Sequence, residues 1–302
     1  MKKILITGSN GLLGQKLLDK LHLQSDITLL ATSKGSDRYG LKPAQYEALD
    51  ITQKKEVIEL VQKFKPDVII HTAAMTNVDA CETSRDECWT MNVHSIEYLM
   101  EAALPIKSHI IHLSTDFIFD GADGPYREDD IAAPLSHYGH SKNESEIVLK
   151  KYPYSWSILR TIIVYGIVKD MSRSNIVLWA KKALSEKKEI QVVSDQFRSP
   201  TLAEDLADAC ISAALKGKTG IYNVSGKDFM SILELVERVA SHYGLDKSLI
   251  KPIKSDSLNQ AAKRPPRTGF ILDKAIRELE YNPHSFEEGM YILDEQLKKL
   301  NL

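Results

Sequence analysis

Apolar residues along the first half of the chain fall into two alternating patterns. Short β-branched runs, KKILIT (2–7), ITLLAT (27–32), DVIIHTA (67–73), HIIHLST (109–115) and WSILRT (156–161), predict strands buried on both faces. Between them, GLLGQKLLDKLH (11–22), KKEVIELVQKF (54–64) and DECWTMNVHSIEYLMEAA (86–103) place apolar residues three and four apart and predict one amphipathic helix each. Such alternation predicts an α/β fold with a doubly wound parallel sheet. After about residue 165 the pattern changes. SNIVLWAKKALSE and SILELVERVASHYG have helical period, EIQVVS and GIYNVSG read as strands, and KSDSLNQAAKRPPRTG (254–269) reads as a loop. This division predicts one domain over 1–165 and a smaller one over 166–302, with a segment near 202–226 packing back onto the first.

With 302 residues, 43% of them hydrophobic, the chain can bury a full core. Its 39 basic and 41 acidic residues are interspersed, for a formal net charge of −2, so no broad positive field marks a nucleic-acid or membrane-surface binder. A small-molecule partner is the expectation. MKKILITG reads as a buried strand rather than a secretory signal, and no apolar run approaches a membrane span, which together predict a cytoplasmic protein. Cys81, Cys88 and Cys210 lack CxxC or zinc spacing and are expected to be packing residues. No His, Asp or Glu cluster has convincing metal spacing, and the acids Asp129 and Asp130 are placed in the loop before a helix.

ITGSNGLLG sets Gly8, Gly11 and Gly14 at a strand-to-helix junction. Glycines there allow the tight turn, the approach of backbone N–H groups to a pyrophosphate, and close helix packing. The loop Gly8, Ser9, Asn10, Gly11, Leu12, Leu13 and Gly14 is therefore the candidate dinucleotide cradle. The second strand ends in Thr32, Ser33 and Lys34 instead of the carboxylate that would bind a ribose 2′-hydroxyl. Two hydroxyls and a cation suit a 2′-phosphate, so NADPH is the expected cofactor, with NADH the alternative. Asp50 and Ile51 lie where adenine could be met, and HTAAMTNVD provides small residues (Ala73, Ala74, Thr76) beside the cofactor path.

Tyr138 and Lys142 in PLSHYGHSK are four apart and share a helix face. An ammonium beside a phenol is expected to draw its pKa down, making Tyr138 a usable general acid. HLSTDFIFDG puts Ser114 and Thr115 at a strand's carboxyl end, where a hydroxyl can hold a substrate carbonyl beside Tyr138. His137 and His140 are off that face and are expected to be solvated or packed against a loop.

Through TGSNGLLG, STDFIFDG and YGHSK the chain resembles the extended short-chain dehydrogenase/reductase superfamily, and within it the dTDP-4-dehydrorhamnose reductases. AAMTNVDACE, MNV, GPYREDDIAAPLSHYGHSK, LRTIIVYG and VVSDQFRSPTLAEDLAD carry the resemblance to about residue 205. It implies an N-terminal Rossmann domain with a smaller C-terminal substrate-binding domain, and reduction of the C4 ketone of dTDP-4-dehydro-L-rhamnose with NADPH or NADH. By resemblance Thr115, Tyr138 and Lys142 are catalytic, and Asn92 of MNV joins the cofactor set. Asp116, Gln196 and Thr201, with Ser114, fall at the sugar nucleotide. The family's usual Trp is Ile163 here, its usual glycine before Glu146 is Ser145, and RPPRTGFIL follows its C-terminal pattern loosely. These departures lie toward the sugar. A homodimer is compatible with the resemblance. The alternatives are a nucleotide-sugar epimerase or dehydratase of the same superfamily, and a non-catalytic NADP-binding regulatory subunit.

Overall fold

The computed structural model describes residues 1–171 and 174–300. The N-terminal half runs β1 (Lys2–Thr7), α1 (Leu12–Leu21), β2 (Ile27–Ser33), β3 (Tyr46–Ala48), α2 (Lys54–Phe64) and β4 (Val68–His71). It continues through α3 (Val78–Thr83), α4 (Arg85–Trp89), α5 (Ser95–Ala103), β5 (His109–Thr115), α6 (His137–Leu149) and β6 (Trp156–Thr161). The remainder comprises β7 (Val164–Tyr165), α7 (Ile176–Ser185), β8 (Ile190–Val193), β9 (Phe197–Arg198), β10 (Thr201–Leu202), α8 (Ala203–Lys216) and β11 (Gly220–Asn223). It ends with β12 (Met230–Ser231), α9 (Ile232–His242), β13 (Ile250–Ile253), β14 (Arg267–Thr268), α10 (Asp273–Leu279) and α11 (Phe286–Lys299).

Seven strands form one parallel sheet in the order β11-β6-β5-β4-β1-β2-β3. Its central strands are apolar throughout because both faces are covered. Leu17, Leu18 and Leu21 of α1, with Leu206, Cys210 and Ala213 of α8, pack on one face. Val57 and Leu60 of α2, Ile96 and Leu99 of α5, and Leu149 of α6 pack on the other. From β1 the chain proceeds to β2 and β3 on one side, then returns to β4 and runs the opposite way. That reversal leaves a crevice outside the carboxyl ends of β1 and β4, the usual ligand position in open α/β sheets.

A second apolar cluster joins α7, α9 and α11 around Val177, Leu184, Leu235, Val239, Met290 and Leu293. Two parallel residue ladders, β13 with β8 and β10 with β7, and the small β12-β9-β14 sheet complete this lobe. The segment GIYNVSG contributes β11 to the main sheet, beside β6. The single helix expected over 86–103 is interrupted: Thr90–His94 forms a π-turn between α4 and α5. The wide turn accompanies an inward Asn92, whose amide bonds Met75 N and O, Cys88 Sγ and Ser141 Oγ. Periodicity alone does not register such an extra residue.

Candidate active site

The turn after β1 owes its shape to glycine. Gly8 has φ +73°, and a Cβ there would lie 2.7 Å from Ala73 N. At Gly14 a Cβ would meet Gly8 O at 2.4 Å. Helix α1 therefore starts hard against the loop, with no acidic residue in its first turn to repel an anion. A cavity of about 720 Å³ opens over this cradle. Its wall includes Gly8, Asn10, Gly11, Leu12, Leu13, Gly14, Thr32, Ser33, Lys34, Asp50, Ile51, Ala73, Ala74 and Thr76. Lys34 Nζ lies 2.8 Å from Asp50 Oδ2, and Asp50 also accepts from the N–H and hydroxyl of Thr52. Burial alone would push the Asp50 carboxyl up, but these donors hold it below its ordinary value. Glycine spacing, small side chains and an N-terminal helix dipole together fit a dinucleotide.

The same cavity continues to Ser114, Thr115, Asp116, Tyr138, Lys142, Gln196, Arg198 and Arg264. Helix α6 begins at Ser136, whose hydroxyl accepts from Gly139 N, so its first two turns carry Tyr138 and Lys142 to the cavity wall. Tyr138 is packed edge-on to Phe117, with ring centroids 5.7 Å apart. Burial pushes its phenol well up, the Thr115 hydroxyl pulls it the other way, and Asp116 pushes it further up. The expected lowering by Lys142 is thus corrected: desolvation dominates, and the phenol is held protonated, the form from which it can give a proton. Lys142 is drawn down to about 8, first by burial, while Glu146 and Cys88 oppose the shift. Its Nζ lies 3.0 Å from His112 Nε2.

Thr115 donates to Asp116 Oδ1 at 3.0 Å and accepts from Phe117 N. Its one proton is therefore directed at Asp116. Asp116 is itself buried, accepting from the Thr268 hydroxyl and lying 3.4 Å from Arg198 Nε. Burial raises its pKa, with Arg198 acting against the rise. One carboxylate thus ties the end of β5 to β9 and β14 of the second lobe.

Three expected site residues are not on the cavity wall. Ser9 is buried with its N–H on Thr32 O. Asn92 sits behind the wall in the π-turn network described above. Thr201 is fully buried, its hydroxyl bonded to Ile162 O and Thr161 Oγ1. The side chains of Asn92 and Thr201 turn toward backbone groups that sequence order does not reveal. His137 packs against α4, its Nε2 3.1 Å from Arg85 O, and His140 is exposed. Among the described residues no group of His, Cys, Asp and Glu could hold a metal, and no helix is long and apolar enough to cross a membrane.

Sequence reasoning missed Arg198, Arg264 and His112. Arg198 is buried against the carbonyls of Phe197, Pro265 and Pro266. Arg264 forms a bidentate pair with Asp79, at 3.2 and 2.6 Å, on the cavity wall. A cation inside the proline-flanked KRPP was the one available signal. Ile163, also on the wall, is a β-branched residue at φ +32°, a strained backbone position.

A family model described as the RmlD substrate binding domain matches residues 1–298, extending the resemblance through the second lobe. The dTDP-4-dehydrorhamnose reductase of Aggregatibacter actinomycetemcomitans is 32% identical over 302 residues, covering 96% of this chain and 97% of that protein. Methionine adenosyltransferase 2 subunit beta of Xenopus laevis is 30% identical over 269 residues, covering 87% of this chain and 78% of that protein. The crystal structure of the dTDP-4-dehydrorhamnose reductase of Bacillus anthracis str. Ames, in complex with NADP, matches with a TM-score of 0.82 at 28% identity. That match covers 98% of this chain and 100% of the other. This chain belongs to the RmlD substrate binding domain family of extended short-chain dehydrogenases/reductases.

Proposed function

We propose that this protein reduces the C4 ketone of a nucleotide-linked sugar with NADPH, converting dTDP-4-dehydro-L-rhamnose to dTDP-L-rhamnose. One observation carries the reading: Tyr138, Lys142 and Thr115 meet in a cavity continuous with a glycine cradle shaped for a dinucleotide. The relatives named above are the second support, since two of them are dTDP-4-dehydrorhamnose reductases and one was solved with NADP.

NADPH, when bound on the glycine loop, supplies the hydride. Tyr138 gives its phenolic proton to the ketone oxygen as negative charge develops there, becoming a phenolate that solvent later reprotonates. Lys142 stabilises that phenolate by its charge and donates a hydrogen bond to the cofactor ribose. Thr115 stands with the phenol on the cavity wall, held in place by Asp116. Gln196, Arg198 and Arg264 line the part of the cavity assigned to the sugar nucleotide, so the lobe after residue 166 supplies most of the substrate contacts. Preorganised charge at the developing alkoxide is the expected large contribution to rate.

Tyr138→Phe is expected to lower turnover by about 10²–10⁴-fold while leaving NADPH affinity within a small factor. A Phe variant with near-normal turnover defeats the assignment. A panel of dTDP-, UDP- and GDP-linked 4-keto sugars, read by NADPH oxidation, identifies the substrate. The identity to methionine adenosyltransferase 2 subunit beta favours a second reading, a non-catalytic regulatory subunit. Silence across the whole panel, with a partner co-purifying, selects that reading instead.

A further inference from the structure

Behind Lys142, on the side away from the cavity, lies a polar cluster that the proposed chemistry does not use. His112 of β5 presents Nε2 to Lys142 Nζ at 3.0 Å and to Ser145 Oγ at 2.9 Å. Ser145 Oγ also donates to Lys142 O at 2.6 Å, so its single proton is already engaged. The ring of His71, on β4, stacks on His112 with centroids 5.4 Å apart and planes at 20°. His71 Nδ1 bonds Thr7 Oγ1 at 2.8 Å. His112 Nδ1 and His71 Nε2 are both buried without a partner among the described residues.

The hydrogen-bonding capacity of the imidazole limits the options. An ammonium has donors only, so Lys142 can bond His112 only if Nε2 carries a lone pair. The ring proton then sits on Nδ1, which has no acceptor, and Ser145 Oγ cannot also be bonded through an Nε2–H. The other tautomer satisfies Ser145 and points a proton at the ammonium. The ring is buried among strands, and burial holds His112 well below its ordinary pKa, so the neutral form is the one in play.

We infer that His112 is a positioning residue: its Nε2 accepts a proton of the Lys142 ammonium, fixes the lysine toward the cofactor ribose and Tyr138, and sustains its charge at working pH. The other ionisable groups facing this pair are Glu146 one turn on in α6, Cys88 from α4, His71 from β4 and Tyr138 itself. Glu146 is committed to Arg160, with bonds of 2.9 and 2.7 Å, and so remains the fixed counter-charge while His112 provides the direct contact.

The proposal rests on the reductase reading for its activity assay but not for its second measurement. His112→Leu removes the acceptor and leaves the ammonium unpaired in the interior; His112→Gln offers an amide oxygen in its place. The alkaline limb of kcat/KM for 4-keto-sugar reduction is expected to move down by about one pH unit or more in the Leu variant. In the Gln variant it should return toward the native position. In parallel, protein carrying ¹³Cε-lysine is titrated by NMR, with Lys142 assigned through Lys142→Met, and its midpoint should follow the same order. A folded Leu variant with the native Lys142 midpoint overturns the proposal. So does a Gln variant as displaced as Leu, which would assign the ring a packing role only. If Leu fails to fold, the Gln midpoint decides: native supports the inference, and displaced refutes it. If the native protein reduces no sugar tested, the reductase reading falls while the lysine titration still judges His112.

Discussion

Gly139, between Tyr138 and Lys142, offers a sharp test of how the site is held together. A Cβ added there would lie 2.2 Å from Phe117 O and 3.0 Å from Pro134 Cβ, where ordinary contact begins at about 3.4 Å. Phe117 follows Thr115 and Asp116 in the short turn after β5, so its carbonyl is fixed to the end of the strand carrying Thr115. Alanine at 139 must therefore push α6 and that turn apart by more than an ångström. Overpacking of this kind costs roughly 1–3 kcal/mol, or about 2–10 °C in Tm for a chain of this size. The separation falls directly between Thr115 and Tyr138, and a 1 Å misplacement at a reacting centre costs on the order of 10²-fold in rate. Gly139→Ala is thus expected to remain folded by circular dichroism, melt lower, and lose about 10²-fold in kcat when NADPH oxidation is followed with the 4-keto sugar. His140→Ala, at an exposed neighbouring position, serves as the control and should be neutral in both measurements. Native kcat and Tm in the alanine variant would refute the claim that this contact sets the Thr115 to Tyr138 geometry.

Other consequences follow from the charged groups. Glu146 and Arg160 form a buried bidentate pair, so Glu146→Gln, which strands the guanidinium, should cost about 3–5 kcal/mol in urea unfolding; a loss under about 1 kcal/mol would contradict it. Burial pushes Glu146 up but Arg160 lowers its pKa overall, so its contribution is present above the ordinary value of 4.5 and is lost as pH falls through the folded-state value. The acid-unfolding limb of the Gln variant should accordingly be shallower. Lys34 faces the cavity at the end of β2, and Lys34→Ala should weaken NADPH binding about tenfold while leaving NADH almost unchanged; equal losses for both would reject a 2′-phosphate contact. Because burial brings Lys142 to about 8, NADPH affinity measured by fluorescence should weaken as pH rises past that value in the protein before cofactor binds. The same depression works the other way on stability: the unfolded lysine holds its proton up to about 10.5, so this group makes stability rise with pH between 8 and 10.5.

What could be read ahead of the structure was what local chemistry determines. A strand buried on both faces must be apolar at successive positions, and the five runs from KKILIT to WSILRT announce their strands for that reason. The glycine loop was legible because its demand is steric and confined to a few residues: a Cβ at Gly14 meets Gly8 O only six positions away. Tyr138 and Lys142 were legible because a helix repeats at 3.6 residues and brings i and i+4 together. The rest depends on partners far apart in the chain. Thr268 reaches Asp116 across 152 positions, and His112 reaches Lys142 across 30, with no periodic signal linking either pair. Asn92 and Thr201 carry the right side chains for a site, yet their backbone turns them to interior carbonyls.

The reversed shift at Tyr138 shows why electrostatics is the least legible level. Spacing along a helix determines which two groups can approach, and from that alone an ammonium should ease a phenol's ionisation. Desolvation, however, accumulates from every element packed around the ring: Phe117, Cys81, Cys88, Met75 and Val78 come from three separate segments. Their combined effect exceeds one favourable charge, and it acts on Lys142 as well, lowering the lysine while raising the tyrosine. The two groups, ordinarily close in proton affinity, are thereby driven apart and their order is reversed, the lysine becoming the readier of the two to lose its proton. A site so poised needs a fixed acceptor behind the lysine to keep it charged, and the geometry around His112 supplies one.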